Sequence, residues 1–285
     1  MLTLGGIALV LGGALAASYW GLIRDLIREW SNDENYSVGM LVPFAAIYLA
    51  WQDRARLARL PLRPCWWGVA LILAAQAVRM FGLMTMYESV ERYSLVLTIA
   101  GVVLLVAGWR IFRAEIWVLA FLFLMVPLPG RIHNTISGPL QGVATSGAVF
   151  VLELVGVSVV REGHTLLLNG NVHVAVAEAC SGLRMLTAFV VVAWVLAYII
   201  HRSPWQKAVV VVSSIPVAIL CNIVRLVITA MLFMVTTAEF AEQFFHDFAG
   251  LTMMPLAILL LLGELWVMSQ IVIEEEPGER TPAGL

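Results

Sequence analysis

Apolar windows recur along the chain near residues 2–23, 36–51, 66–86, 93–109, 115–128, 181–200, 208–233 and 250–272. Each is long enough, or nearly so, to cross a hydrocarbon core of about 30 Å as a helix. The pattern predicts an all-α polytopic membrane protein with about eight transmembrane helices. A window at 137–157 is different, because Ser137, Gln141, Thr145, Ser146 and Glu153 interrupt it together with Gly138, Gly142 and Gly147. It fits an extracytoplasmic helix lying at the interface or a ninth span. Between residues 157 and 178 the period shortens toward two. Val157, Val159 and Leu166–Leu168 flank Arg161-Glu162-Gly163-His164, and Asn169-Gly170-Asn171 precedes Val172, Val174 and Val176. This reads as a small β-hairpin with an Asn-Gly turn, packed on the outer face of the helices.

The chain therefore divides into N-terminal transmembrane helices over 1–114, a core over 115–272 that carries the outer helix and the hairpin near 137–178, and a disordered cytoplasmic tail over 273–285. The first apolar window has no basic segment before it and no small-residue cleavage site before Ser18, so it is read as a retained span.

Composition sharpens this picture. The chain of 285 residues is 61% hydrophobic and 13% charged, with a mean hydropathy of +0.92, far outside the range of soluble domains. The seventeen Lys and Arg residues sit mainly in the connections and form no nucleic-acid-binding patch, so nucleic acid is excluded as a partner. Short cytoplasmic loops are enriched in Lys and Arg. Segment 52–64 holds Arg54, Arg56, Arg59 and Arg63, segment 110–114 holds Arg110 and Arg113, and segment 201–207 holds Arg202 and Lys207. These three belong on one side, the inside. The connections 24–35, 87–92, 129–180 and 234–249 then lie outside. A ninth span at 137–157 would separate 201–207 from 110–114, so the interfacial reading of that helix is preferred. Cys65, Cys180 and Cys221 lack Cys-x-x-Cys spacing and a His cluster, so neither a metal site nor a cofactor is expected.

Ionisable side chains inside apolar windows are costly unless paired or wetted, which makes each a candidate for function. Arg79 is expected to pair with Glu88 or with lipid. Arg225 stands two-thirds along its window, about 12 Å short of the outer end at 1.5 Å per residue. Asn222, three residues earlier on the same helical face, is placed to hold its guanidinium. Cys180 opens the window at 181–200 and His246 stands just before the last one. A thiolate nucleophile, a cation that lowers its pKa and an imidazole that shuttles protons are the parts of cysteine-based acyl transfer. A structural role is open to each: a small buried cysteine, a helix-end histidine, a paired arginine. The residues alone leave both readings standing. Cys221 and Cys65 are read as structural.

The segments MVPLPG, GPLQGVATSGAVFVLELVGVSVVREGHTLLL, VAVAEACSGLRML, PVAILCNIVRLVITA and HDFAG, in this order over roughly residues 120–255, resemble the exosortase/archaeosortase family. Residues 1–110 resemble it only as hydrophobic spans. The resemblance puts the family's cysteine on Cys180, its arginine on Arg225 and its histidine on His246. Arg184 matches a second basic residue of the cysteine motif, and Asn222 the asparagine of the arginine motif.

The resemblance implies a membrane-embedded cysteine transpeptidase in the bacterial inner membrane, with its site facing the periplasm. Its partners would be secreted proteins with a C-terminal sorting signal, made of a Pro-Glu-Pro-like motif, a transmembrane helix and a basic end, and the surrounding lipids. A soluble domain that some members carry is expected to be a separate exopolysaccharide-system protein here. Arg184, or Arg131, is expected to pair with the motif's glutamate, and Glu178 to orient His246 or Arg184. Two rival readings are a cysteine protease with water as acceptor, and a non-enzymatic transporter or polysaccharide-assembly subunit whose polar pathway Arg225 and His246 line.

Overall fold

Helix accounts for nearly all of the apolar sequence in the computed structural model, which describes residues 2–33, 35–162, 165–175, 182–200, 203–237, 240–241 and 250–271. The chain begins with α1 (Leu2–Ser18) and α2 (Trp20–Asn32), which meet at a 65° bend around Tyr19. Residues 24–35, expected as an outer connection, instead continue as α2 almost to their end. The physical reason is amphipathic spacing: Leu22, Leu26 and Trp30 recur every four residues and are buried, while Arg24, Asp25 and Arg28 face outward.

The bend is held from both sides. The Tyr19 hydroxyl lies 3.0 Å from Ser94 Oγ and 2.9 Å from Thr98 Oγ1, and it accepts a hydrogen bond from Gln76 Nε2 at 3.1 Å. Arg79 stacks its guanidinium 4.3 Å from the Tyr19 ring centre and donates to Ser18 Oγ and the Ser18 carbonyl. These partners belong to α5 (Trp67–Thr85) and α6 (Glu88–Ala107), an antiparallel pair. At Gly68 the two backbones come so close that a Cβ would collide with the main chain of Leu105. Arg79 pairs with Glu91 at 3.5 Å, in place of the expected Glu88 or lipid. Glu88 is one turn from Arg92 on its own helix and pairs with it at 2.8 Å, while Arg92 also reaches Glu29 of α2 at 2.6 Å.

The windows at 36–51 and 115–128 become short helices. A 3-10 turn at Ser37–Met40 leads into α3 (Leu41–Gln52), then α4 (Arg54–Leu57), and beyond the α5/α6 pair α7 (Trp109–Ala114) leads into α8 (Ile116–Phe121), which ends in a 3-10 turn at Leu122–Met125. At 1.5 Å per residue the stretch Ile116–Met125 is only about 15 Å long. These short pieces pack on one another and on α6 around Val42, Leu49, Val96, Phe121 and Met125.

The second half contains α9 (Gly130–Leu154), α10 (Leu183–Ile199), α11 (Pro204–Val235) and α12 (Gly250–Ile271). Among the described residues, four helices are long and apolar enough to cross a membrane, α5, α6, α9 and α11, and the bent α1–α2 pair counts as a fifth where it is taken as one broken span. α9, expected to lie at the interface, thus meets the length and composition of a span.

Helix α10 lies antiparallel to the first part of α11. Met185, Ala188 and Phe189 pack with Ala218 and Cys221, and Ala193 and Ala197 with Val210. Beyond Asn222, α11 continues over residues 223–235, about 20 Å of helix. This overhang packs against α9 and a small sheet rather than against α10. Leu226, Val227 and Ala230 bury Ala144, Ala148 and Leu152 of α9 together with Leu166, Leu168 and Val174.

The sheet has three antiparallel strands, one more than a single hairpin: β1 (Val159–Glu162), β2 (Thr165–Leu168) and β3 (Val172–Ala175), in the order β1-β2-β3. The added strand pairs Val159 with Leu168 and Glu162 with Thr165. The Asn-Gly turn stands where the sequence predicts it, between β2 and β3. Asn169 (φ 50) and Gly170 (φ 74) are both left-handed, the conformation that Asn and Gly adopt most readily.

At the end where α10 meets α11 the Tyr198 hydroxyl donates to Asp53 Oδ2 at 2.8 Å, and Lys207 Nζ lies 6.0 Å from the Tyr198 ring centre. Glu115 is close enough to Asp53 and Arg56 to feel their charges. Residues of the basic connections 52–64 and 201–207 therefore share one end of the molecule, together with Glu115, which directly follows the third at 110–114.

Candidate active site

Arg225 lies on α11 one turn past the point where α10 begins, and it is only 7% exposed. Its Nη2 donates to Asn222 Oδ1 at 2.7 Å, the pairing that the three-residue spacing predicts. Asn222 is itself 1% exposed. On the following turn Thr229 Oγ1 donates to the Arg225 carbonyl at 2.8 Å. A guanidinium stays protonated at any accessible pH, so this burial holds a fixed positive charge within the helical body.

The residue that precedes α10 stands against this pair. Gly182 precedes α10 in the left-handed conformation (φ 78), and a Cβ there would stand 2.7 Å from Asn222 Nδ2. Only glycine permits both the backbone angle and the approach. A cavity of about 10 Å³, room for one water molecule, separates Gly182 and Asn222 from Leu140, Leu186 and Ile219.

Among the other sequence-predicted residues, Arg184 is half-buried on the first turn of α10, and Arg131 is exposed on the first turn of α9. Cys180, Glu178 and His246 lie outside the described residues, as does the tail at 273–285. The structure thus brings together Gly182, Asn222 and Arg225. Cys221, read as structural, is fully buried between α10 and α11.

A cavity of about 510 Å³ opens along the first turns of α10. Leu183, Leu186, Thr187 and Val190 form one wall, Phe123 and Met125–Leu128 another, and Tyr36 and Tyr93 stand at its polar margin. The Tyr36 hydroxyl lies 2.7 Å from His133 Nδ1 of α9, and Trp30 Nε1 donates to the Met125 carbonyl at 3.0 Å. No motif in the sequence marks these residues. An apolar wall assembled from five distant segments leaves no local signature, although the Leu22, Leu26, Trp30 spacing does mark α2 as a packed helix. Among the described residues no group of His, Cys, Asp or Glu side chains is arranged to hold a metal ion.

A buried permanent cation beside the chain that follows a cysteine can lower a thiol pKa and stabilise an oxyanion. A family model described as transmembrane exosortase matches residues 30–263, from within α2 to within α12. Neither a comparison with curated proteins nor one with solved structures found a match.

Proposed function

The chain belongs to the transmembrane exosortase family, and from that premise we propose that it is a cysteine transpeptidase acting on the C-terminal sorting signals of secreted proteins at the outer face of the bacterial inner membrane. The observation that carries the reading is the contact between Gly182 and Asn222, with Arg225 bonded to the same Asn222. Gly182 follows Cys180 by two residues, and two residues of chain span at most about 7 Å. The fixed charge of Arg225 is therefore within reach of the cysteine that the family resemblance selects.

In the reaction, Cys180 Sγ attacks the scissile carbonyl carbon and Arg225 stabilises the oxyanion. The C–N bond breaks, His246 gives its proton to the leaving amine, and a thioester remains. An acceptor nucleophile, deprotonated by His246, then attacks the thioester and releases the Cys180 thiolate. Arg184 or Arg131 pairs with the glutamate of a Pro-Glu-Pro-like motif, and Glu178 orients His246 or Arg184. Gly182 and Arg225 lie at the end of α10 opposite Asp53 and Lys207. With the basic connections inside, the site faces the periplasm.

The test is processing of a sorting-signal substrate by Cys180→Ala, Arg225→Ala and His246→Ala variants, with Cys65→Ala/Cys221→Ala as the control. Loss in the first three and retention in the control is expected. Full processing by Cys180→Ala would sink the reading. The mass of the new C-terminus separates transfer from hydrolysis, because an acceptor adds mass and water leaves a free carboxylate.

A further inference from the structure

The cavity of about 510 Å³ has no charged side chain in its described lining. A phosphate headgroup or other ion placed there would lose its hydration without compensation. Its size sets a second bound. A helix about 10 Å across fills about 120 Å³ per residue at its 1.5 Å rise, so the cavity accepts about four residues rather than a whole transmembrane helix.

One wall has an unusual backbone. Val126 is extended (φ −86, ψ 124), and Pro127 and Pro129 keep the following chain out of helix. Val126 and Pro127 are buried and both line the cavity. Among the described residues, no hydrogen bond reaches the carbonyl of either one or uses the N–H of Leu128. Buried backbone groups are almost always paired. A hydrocarbon chain brings no donor to such carbonyls, whereas an extended polypeptide presents N–H groups along the edge that faces a second extended segment.

The opposite wall is continuous with the proposed nucleophile. It starts at Leu183, three residues after Cys180, and follows α10 through Val190 into the helical body. A polypeptide attacked at Cys180 would enter the cavity with the residues that lead from the scissile bond toward the membrane interior.

We propose that this cavity is the binding site for about four residues of the cleaved polypeptide, on the side of the scissile bond that departs with the apolar segment. Apolar side chains fill the space, and backbone N–H groups donate to the carbonyls of Val126 and Pro127. The assignment rests on the cysteine-transpeptidase reading.

The test uses the full-length enzyme in lipid vesicles and a synthetic peptide with a Pro-Glu-Pro-like motif followed by a Leu-rich transmembrane stretch. A benzophenone side chain is placed in turn at each of the first few positions after the motif. Irradiation is expected to join the peptide to residues 123–128 or 183–191. Thr187→Phe and Val190→Phe, which fill the cavity, are expected to cut turnover of the Leu-rich peptide about tenfold and to recover it when those peptide positions are alanine. Crosslinks confined to other parts of the enzyme would overturn the assignment, as would capture of these walls by a photoreactive acyl-chain lipid in place of the peptide. Filled variants that turn over both peptides at the unaltered rate would overturn it too. Crosslinking needs no substituted enzyme, so it decides the matter even if a filled variant does not fold. Turnover by Cys180→Ala enzyme would refute the catalytic reading separately, because the crosslink reports binding alone.

Discussion

Gly182 lies against Asn222 so closely that a Cβ on the glycine would stand 2.7 Å from the Asn222 amide nitrogen, while the amide oxygen of the same side chain accepts from Arg225 at 2.7 Å. One amide therefore ties the start of α10 to the buried cation of α11. The chain that emerges from α10 toward Cys180 leaves from a point fixed relative to Arg225.

Replacing Gly182 with alanine strains this tie twice, by the left-handed backbone angle and by the contact with Asn222. The angle alone costs about 1–2 kcal/mol for a residue with a Cβ. Thermal unfolding in detergent should show at least that loss, and substrate processing should fall about tenfold or more. A Gly182→Ala enzyme with unaltered melting and processing would mean that the contact has no consequence.

Asn222→Ala removes the acceptor from a buried guanidinium. Hydrogen bonds to charged groups contribute about 1.5–3 kcal/mol, and a loss of that order is expected in chemical or thermal unfolding. Asn222→Asp keeps an acceptor in place and should recover most of the stability. Equal melting of the Ala and Asp variants would show that the bond to Arg225 does not stabilise the fold.

Tyr19→Phe deletes a buried hydroxyl that meets Ser94, Thr98 and Gln76 at the bend between α1 and α2. The ring and its stacking under Arg79 survive, so the effect isolates the hydroxyl. A destabilisation of about 1–3 kcal/mol is expected in thermal unfolding, since the buried Ser94 and Thr98 and the half-buried Gln76 lose a bond at once.

Glu115, in the turn between α7 and α8, has its carboxyl pKa raised, first by burial and then by the nearby charge of Asp53, with Arg56 acting in the opposite direction. A raised folded-state pKa means that the fold binds the proton more tightly than the unfolded chain does. The stability this contributes is full below the unfolded value of 4.5 and is lost as pH rises through the higher folded value. Glu115→Gln, permanently neutral, should therefore melt above the unaltered protein at pH 7 and match it at pH 4. A variant that melts lower at pH 7 would reverse the sign and refute the assignment.

Much of the architecture follows from local pattern. The apolar windows become helices because a backbone in lipid must satisfy its own hydrogen bonds. The Asn169-Gly170 turn and the Asn222–Arg225 bond depend on residues at most a few positions apart, where the geometry of strand and helix is already set. The differences between sequence pattern and structure share a cause. The polar composition of residues 24–35 points to a connection, although Leu26 and Trp30 extend the spacing begun at Leu22 and bury one face against α6 and its neighbours. For Arg79 the sequence offers Glu88 or lipid as partner, whereas α6 turns Glu91 toward α5 and Glu88 along its own axis to Arg92.

By itself the sequence determined that this is a helical membrane protein of the exosortase type, because hydropathy and short motifs are properties of contiguous residues. Tertiary structure decided the level of Arg225. Counted along its own helix it lies short of an end, but α11 overruns α10 by about 20 Å, and the contact with Gly182 sets the arginine at the mouth of α10. The cavity beside that mouth was likewise decided by folding, since its walls come from the α2–α3 turn, α6, the Phe123–Leu128 stretch, α9 and α10. Those segments are far apart in the chain, and only packing brings them to one place.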